Sequence, residues 1–283
     1  MKFRWTLRNI FSCYRALLVI LGLEYVFQFT QIKKQTLPQV IMEVSKFFRT
    51  GIAISTLASG LSKLFFQEAT FLVLIICVFS GVLFLYKKRI DREPVSMIDF
   101  VYGIENNWKK VLIAGLCFTF TIGILKDIAA WLVSRLGSTD DIRIVYVTTS
   151  ITSAIGFFYT ALTIYGSLIL VENGIRISKL FSGVFRFIFS KESLKLFIIL
   201  LLFGLVYQPI NILKVDFLSV SSLLNGGSLF SFMDVISAPR IPLWLRCMEW
   251  FANTIVSSFI LLYTSLIFYW NTRKNDLLSV NRD

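Results

Sequence analysis

The stretch IVYVTTSITSAIGFFYTALTIYGSLILV, residues 144–171, decides the fold because its 28 consecutive residues carry no charge. A helix needs about 20 apolar residues to cross the ~30 Å hydrocarbon core of a bilayer. The stretch is longer than a buried core helix of about 10–14 residues and too short for two crossings. It therefore predicts one long, tilted transmembrane helix.

Similar apolar runs lie on both sides of this stretch and predict an all-α, six-helix transmembrane bundle. The bundle forms a single integral membrane domain over residues 1–283. The predicted spans are 16–32, 69–86, 111–133, 144–171, 196–213 and 250–271. The segment 47–62 is also apolar, but Arg49 and Lys63 enclose only 13 uncharged residues. We therefore place it in an outer loop.

The composition agrees with a membrane protein and excludes several kinds of chemistry. Of the 283 residues, 56% are hydrophobic and 16% are charged, and the mean hydropathy is +0.72. Soluble domains usually carry about 25% charged residues. The chain has no histidine, which excludes a Ser-His-Asp triad and an HExxH zinc site. The four cysteines form no CxxC pair, and we predict no metal site, no cofactor and no enzymatic activity.

The distribution of Lys and Arg predicts the orientation in the membrane. With six spans, both termini lie on the same side of the membrane. If the N-terminus is inside, the inner segments contain 18 Lys and Arg residues and the outer loops contain 10. The positive-inside rule then predicts that both termini are cytoplasmic, in the cell membrane. The net charge of +12 indicates attraction to anionic lipids of the inner leaflet. Nucleic acid is not an expected partner, because the sequence offers no folded basic domain.

Amphipathic stretches precede the first, third and fifth predicted spans. Between residues 174 and 191, apolar side chains recur at helical spacing opposite a basic face, as is typical of an interfacial helix. The basic face consists of Arg176, Lys179 and Arg186. Residues 3–14 and 98–108 repeat the pattern beside further Lys and Arg. An amphipathic stretch before every second span predicts a helical hairpin repeated three times. Alternatively, the three basic stretches arise independently, because the positive-inside rule places Lys and Arg at the inner ends of spans.

Two segments resemble a known family of membrane proteins. LILVENGIRISKLFSGVFRFIFS, residues 168–190, resembles a Glu-Asn/Gly segment followed by an amphipathic helix and a span. LLYTSLIFYWNTRKN, residues 261–275, resembles a last span with an aromatic and basic exit. The family is the six-span family named for the membrane domain of glycerophosphoryl diester phosphodiesterases. The resemblance implies six spans and an N-terminal amphipathic helix. It implies no reaction, because the phosphodiesterase chemistry of the namesake belongs to a separate soluble domain.

Three charged residues within the predicted spans are candidates for a polar intramembrane site. Glu24 lies near the middle of 16–32, and Lys126 and Asp127 lie in the outer third of 111–133. Ionisable residues inside a membrane are costly and often functional. Glu24 therefore predicts either a proton or coupling-ion site or a carboxylate paired inside the bundle. Lys126 and Asp127 predict either an outward-facing polar vestibule or a lysine that snorkels to the outer surface.

The tripeptide Glu172-Asn173-Gly174 ends the fourth predicted span at the inner face and predicts an elbow in the chain. Gly174 fits a helix C-cap, and Asn173 tolerates the same left-handed geometry. Glu172 would then stand beside the basic face of the next helix. The elbow has a structural interpretation, and it also has a functional one as a docking point for a soluble partner.

Three functions are compatible with this sequence. The first is an accessory or scaffold protein without catalysis, which acts through membrane lipids and partner helices. The second is the permease subunit of an ATP-driven exporter, which needs an inner elbow to dock its ATPase subunit. The third, an intramembrane enzyme, has the least support because no catalytic motif is present. The sequence leaves the oligomeric state open.

Overall fold

Helices account for all of the regular structure that can be assigned. A computed structural model describes residues 2–29, 41, 60–135, 142–206 and 242–280, and this part of the chain contains no strand. The predicted all-α class is confirmed. The helices are α1 (Lys2–Ser12), α2 (Tyr14–Phe29), α3 (Gly60–Ile90), α4 (Met97–Arg135), α5 (Ile142–Asn173), α6 (Ile177–Ile188), α7 (191–206) and α8 (Leu243–Val280).

Two helical segments are long and apolar enough to cross a membrane, namely Ser153–Asn173 in α5 and Leu243–Thr272 in α8. Helices α1 and α2 are bent by 80° where they meet, and this pair is a third candidate if it counts as one span. Within the described residues, the protein therefore has two or three candidate membrane spans.

The count of six spans stays a prediction. Predicted spans 69–86 and 111–133 fall within α3 and α4, and 196–213 begins within α7. Most of the segment 47–62 lies outside the described residues, as does the end of the first predicted span.

Helix α8 forms the centre of the packing. It contacts α1, α2, α3 and α5, and its side chains from Val256 to Tyr269 are almost all buried. A helix that is apolar on every side is typical of a buried position. Three of its hydroxyl groups bond within the helix, as when Ser265 Oγ donates to the Leu261 carbonyl at 2.7 Å. The sequence of α8 thus lets it be surrounded by other helices.

Helices α3 and α4 cross at two glycines. A Cβ atom added to Gly103 would lie 2.6 Å from Phe84 Cβ and 3.1 Å from Gly81 Cα. A Cβ atom added to Gly81 would lie 2.3 Å from the ring of Phe100. Small residues at such a crossing let two backbones approach closely, which is a main source of helix association in membranes.

We predict that Gly103→Ala destabilises the protein by about 1–3 kcal/mol, because the new methyl group overpacks the crossing. The matched control is Gly156→Ala, since a Cβ atom there meets nothing within 4 Å. Thermal unfolding of both purified variants in the same detergent measures the difference. Equal midpoints for the two variants would contradict the close crossing.

Paired polar groups fix the turn between α3 and α4. The Ser96 backbone N–H donates to Asp99 Oδ2 at 2.7 Å, and the Asp99 backbone N–H donates to Ser96 Oγ at 3.3 Å. This reciprocal pair is a capping box at the start of α4. Lys88 Nζ at the end of α3 lies 2.7 Å from Asp99 Oδ1. The Lys88 ammonium and the Ser96 N–H hold the pKa of Asp99 below its usual value.

The lowered pKa of Asp99 predicts an acid-sensitive turn. Its stabilisation is fully present above the unfolded-state pKa of about 4 and is lost as the pH falls through the folded-state value. We therefore expect the stability difference between the native protein and Asp99→Asn to be constant from about pH 5 to 8 and to shrink below about pH 4. Thermal unfolding across this range measures it. A difference that persists unchanged at pH 2.5 would contradict the pairing.

The three amphipathic stretches join their neighbours in different ways. The bend separates α1 from α2, and residues 189–190 separate α6 from α7. The third stretch differs from the prediction, because α4 continues unbroken from Met97 to Arg135 through the stretch and the predicted span. Lys109 and Lys110 favour helix, and no glycine or proline interrupts the chain beside them.

Candidate functional site

Charged and polar side chains from several helices meet at one end of the bundle, which we call the basic end. Lys87 Nζ of α3 lies 2.7 Å from Glu172 Oε1 of α5. Lys2 Nζ of α1 lies 3.5 Å from Glu192 Oε2 of α7 and stands over the ring of Trp270 of α8. These contacts, with that of Lys88 and Asp99, bring six helices together at this end.

The predicted elbow lies at the basic end. Gly174 has φ 71°, the left-handed conformation of a helix C-cap, and Asn173 Nδ2 donates to the Ile169 carbonyl at 3.1 Å. Glu172 Oε1 accepts hydrogen bonds from Lys87 Nζ at 2.7 Å and from Tyr269 Oη at 3.2 Å. Its carboxylate therefore links α5 to α3 and α8. This geometry supports the structural interpretation of the elbow.

Helix α6 presents three different strips to its surroundings. The buried strip consists of Leu180, Val184 and Phe187. Phe187 stacks on Tyr165 of α5 with 4.1 Å between ring centroids, which fastens α6 to the bundle. An exposed apolar strip contains Ile177, Phe181, Phe185 and Ile188. An exposed basic strip contains the predicted residues Arg176, Lys179 and Arg186. It flanks the buried strip on the side away from the exposed apolar strip.

The other two amphipathic stretches also have both buried and exposed residues. In α1, Thr6 and Ile10 are buried, whereas large apolar side chains are exposed beside the exposed Arg4 and Arg8. The exposed apolar residues of α1 are Phe3, Leu7 and Phe11. In α4, Asn107 is buried, and the exposed apolar residues are Met97, Ile98, Val101, Tyr102 and Trp108.

At 100° per residue, the exposed apolar strip follows the buried strip by about 100° in the same rotational direction in α1 and α6. In α4 the exposed apolar residues spread from about 80° to about 220° after Asn107, so the three stretches share no single offset.

A cleft of about 930 Å³ opens at the basic end between α1, the end of α3, α7 and α8. The described residues that line it include four cations and one carboxylate. The charged residues are Lys2, Arg89, Arg92, Lys195 and Glu192. Its apolar and aromatic lining includes Phe3, Ile198, Ile199, Tyr263 and Leu266. The volume lies within the range of ligand sites, about 300–1,000 Å³.

Glu24 lies away from this end, in the contact between α2 and α8. Its side chain is buried, and Ser257 Oγ donates to Glu24 Oε1 at 2.5 Å. About two turns earlier on α8, Trp250 Nε1 donates to the Leu21 carbonyl at 2.8 Å. The contact agrees with the interpretation of Glu24 as a carboxylate paired inside the bundle, and it leaves the ion-site interpretation a prediction.

Sequence reasoning missed the polar stripe of α8 that contains Ser257, the hydrogen-bond partner of Glu24. Glu249 and Asn253 are both buried, and they precede Ser257 at intervals of four residues. Residues at this spacing share one helix face, so the three form a polar stripe along an otherwise apolar helix. The spacing of these polar residues at the edge of the last apolar run is the signal that could have revealed them.

The backbone of Lys126 and Asp127 belongs to α4, but their side chains lie outside the described part of the structure. The vestibule and snorkelling interpretations therefore stay predictions. Among the described residues, no group of three or more Cys, Asp and Glu is placed to hold a metal ion.

The chain matches no family model, no curated protein and no solved structure.

A double-mutant cycle tests the contact of Glu24 with Ser257. We expect Glu24→Ala and Ser257→Ala to be coupled by about 0.5–1.5 kcal/mol in thermal unfolding, the range of buried hydrogen bonds between membrane helices. The matched control pairs Glu24→Ala with Ser265→Ala, because Ser265 bonds to its own helix. The control pair should be additive. Additivity of Glu24→Ala and Ser257→Ala as well would show that the hydrogen bond is absent in solution.

Proposed function

We propose that the protein is a non-catalytic accessory or scaffold protein of the cytoplasmic membrane. In this proposal it has six spans, and both termini and the basic end face the cytoplasm. It acts through acidic lipids of the inner leaflet and through helices of membrane partners. Membership of the phosphodiesterase-type membrane-domain family, on the resemblance given above, is part of the same proposal.

The observation that carries this proposal is the shared surface of the three amphipathic stretches. Each is fastened to the bundle by a buried strip, and each exposes large apolar side chains such as Phe185, which is 65% exposed, and Ile98, which is 80% exposed. A helix that exposes both apolar and basic residues suits the membrane interface, with the apolar residues among the acyl chains and the cations near the headgroups. Each Lys or Arg near an acidic leaflet adds about 1 kcal/mol of attraction.

The permease alternative has weaker support. It needs the elbow to dock an ATPase, and the Glu172 carboxylate is already engaged with Lys87 and Tyr269. Mild extraction of the tagged full-length protein with its neighbours, followed by quantitative mass spectrometry, separates the two functions. A stoichiometric ATPase subunit would replace the scaffold proposal with the permease. A stoichiometric membrane protein without ATPase motifs would support the scaffold.

The basic strip of α6 gives a direct test of the lipid contact. We expect acidic lipid to raise the unfolding temperature of the protein in nanodiscs when phosphatidylglycerol replaces part of the phosphatidylcholine. The triple variant Arg176→Gln, Lys179→Gln and Arg186→Gln should lose most of this increase. These side chains are exposed, so the fold should be retained.

The matched control exchanges the charges without removing them, as Arg176→Lys, Lys179→Arg and Arg186→Lys. This variant should behave like the native protein. An equal stabilisation of the native protein and the glutamine variant by phosphatidylglycerol would count against the proposed lipid contact.

A further inference from the structure

The lining of the cleft at the basic end is charged near one end of the cleft, called its polar end, and apolar near the other. On α7, Glu192 and Lys195 line the polar end, and Ile198 and Ile199 line the apolar end. On α8, the lining of the cleft extends from Trp270 to Tyr263, seven residues apart, which is about 10 Å along the helix. The lining therefore changes from charged to apolar over roughly two helical turns.

The charges at the polar end have a positive excess. Glu192 is held between Lys2 and Lys195, each with 3.5 Å between the nitrogen and a carboxylate oxygen. Arg89 is oriented by neutral partners, because its Nε donates to Asn9 Oδ1 at 3.2 Å and its guanidinium to Ser12 Oγ at 2.9 Å. Neither bond partner is a carboxylate, so these bonds do not neutralise the positive charge of Arg89.

Arg92 supplies a second, independent observation. It lies directly after α3 with φ 64°, and it is the only non-glycine residue of the described chain in the left-handed region. Glycine is favoured there, because a Cβ atom is disfavoured in this conformation. The conformation belongs to a Schellman C-cap, because the Arg92 N–H donates to the Arg89 carbonyl at 3.2 Å and the Glu93 N–H donates to the Lys88 carbonyl at 2.9 Å. These backbone bonds do not use the Arg92 side chain. That side chain lines the cleft and has no carboxylate partner among the described residues.

We propose that this cleft binds one acidic phospholipid, with the phosphate between Arg92, Arg89 and Lys195 and an acyl chain along Ile198, Ile199 and Leu266. Guanidinium groups suit a phosphate because their donors match its geometry. The adjoining apolar wall suits a hydrocarbon chain and would gain nothing from a free phosphate ion. The site rests on the proposed function in one respect, since it draws its ligand from the leaflet at the basic end.

Short-chain lipids test the site without a bilayer. Purified full-length protein in a neutral detergent is titrated with dioctanoyl phosphatidylglycerol, and native mass spectrometry counts the bound molecules. We expect one saturable molecule per chain, at least tenfold weaker binding of dioctanoyl phosphatidylcholine, and no competition by millimolar inorganic phosphate. Comparable binding of both lipids would overturn the proposal. Effective competition by inorganic phosphate would replace the lipid with a free phosphate ligand.

Arg92→Gly separates ligand binding from folding. Glycine favours the conformation of this position, so the variant should unfold at the same temperature as the native protein or higher, while it binds phosphatidylglycerol about tenfold more weakly. Lys195→Gln, a change at a 63% exposed side chain, should weaken binding about fivefold. Arg246→Gln is the matched control, because it removes a cation at the opposite end of α8. Native affinity in both cleft variants would overturn the site.

The α6 glutamine triple variant distinguishes this site from the proposed function. It should keep the native affinity for dioctanoyl phosphatidylglycerol in detergent, even where it loses the stabilisation by acidic nanodiscs. If the triple variant loses both, the single lipid binds on α6 and the cleft proposal fails while the proposed function stands. If the cleft variants lose the bound lipid and the triple variant keeps its stabilisation in nanodiscs, the cleft stands and the proposed lipid surface fails.

Discussion

The burial of α8 is the constraint on which the other contacts depend. A helix surrounded by helices must satisfy its polar groups from within or from its neighbours, because an unpaired buried group is costly. The hydroxyl groups of Thr254, Ser265 and Thr272 bond to the backbone of α8 itself. Trp250 and Ser257 bond to α2. These few bonds fix the register of α2 against α8. The same packing holds Tyr269 at the carboxylate of Glu172.

The basic end collects the features that bear on function. The elbow, the three amphipathic stretches and the cleft all lie where α3, α5 and α8 finish and α4, α6 and α7 begin. The carboxylates Glu172, Glu192 and Asp99 are paired with lysines, so much of the positive charge is used to join helices. The exposed basic strips, Arg89 and Arg92 are cations outside these pairs, and both proposals depend on such cations.

Local patterns in the sequence predicted the features that depend on neighbouring residues. The apolar run 144–171 predicted α5, the left-handed Gly174 followed from its place after a span, and the basic strip of α6 followed from helical spacing. The sequence could not predict contacts between distant residues, such as Glu24 with Ser257 or Glu172 with Lys87. The left-handed C-cap at Arg92 could not be predicted either, because glycine or asparagine usually fills that position. The continuity of α4 depended on the absence of a breaker, which hydropathy alone does not weigh.

The bonds of α2 to α8 have a consequence for biosynthesis. Leu21 and Trp250 are separated by 229 residues, and Glu24 and Ser257 by 233. At ribosomal rates of about 5–20 residues per second, roughly 10–45 s pass between the synthesis of the two partners. During that interval the Glu24 carboxylate, which is buried in the folded protein, has no bond to Ser257. Water, lipid headgroups or the insertion machinery must solvate it instead. Closure of the bundle is therefore a late event, and a chain that stops before residue 243 lacks the helix that completes it.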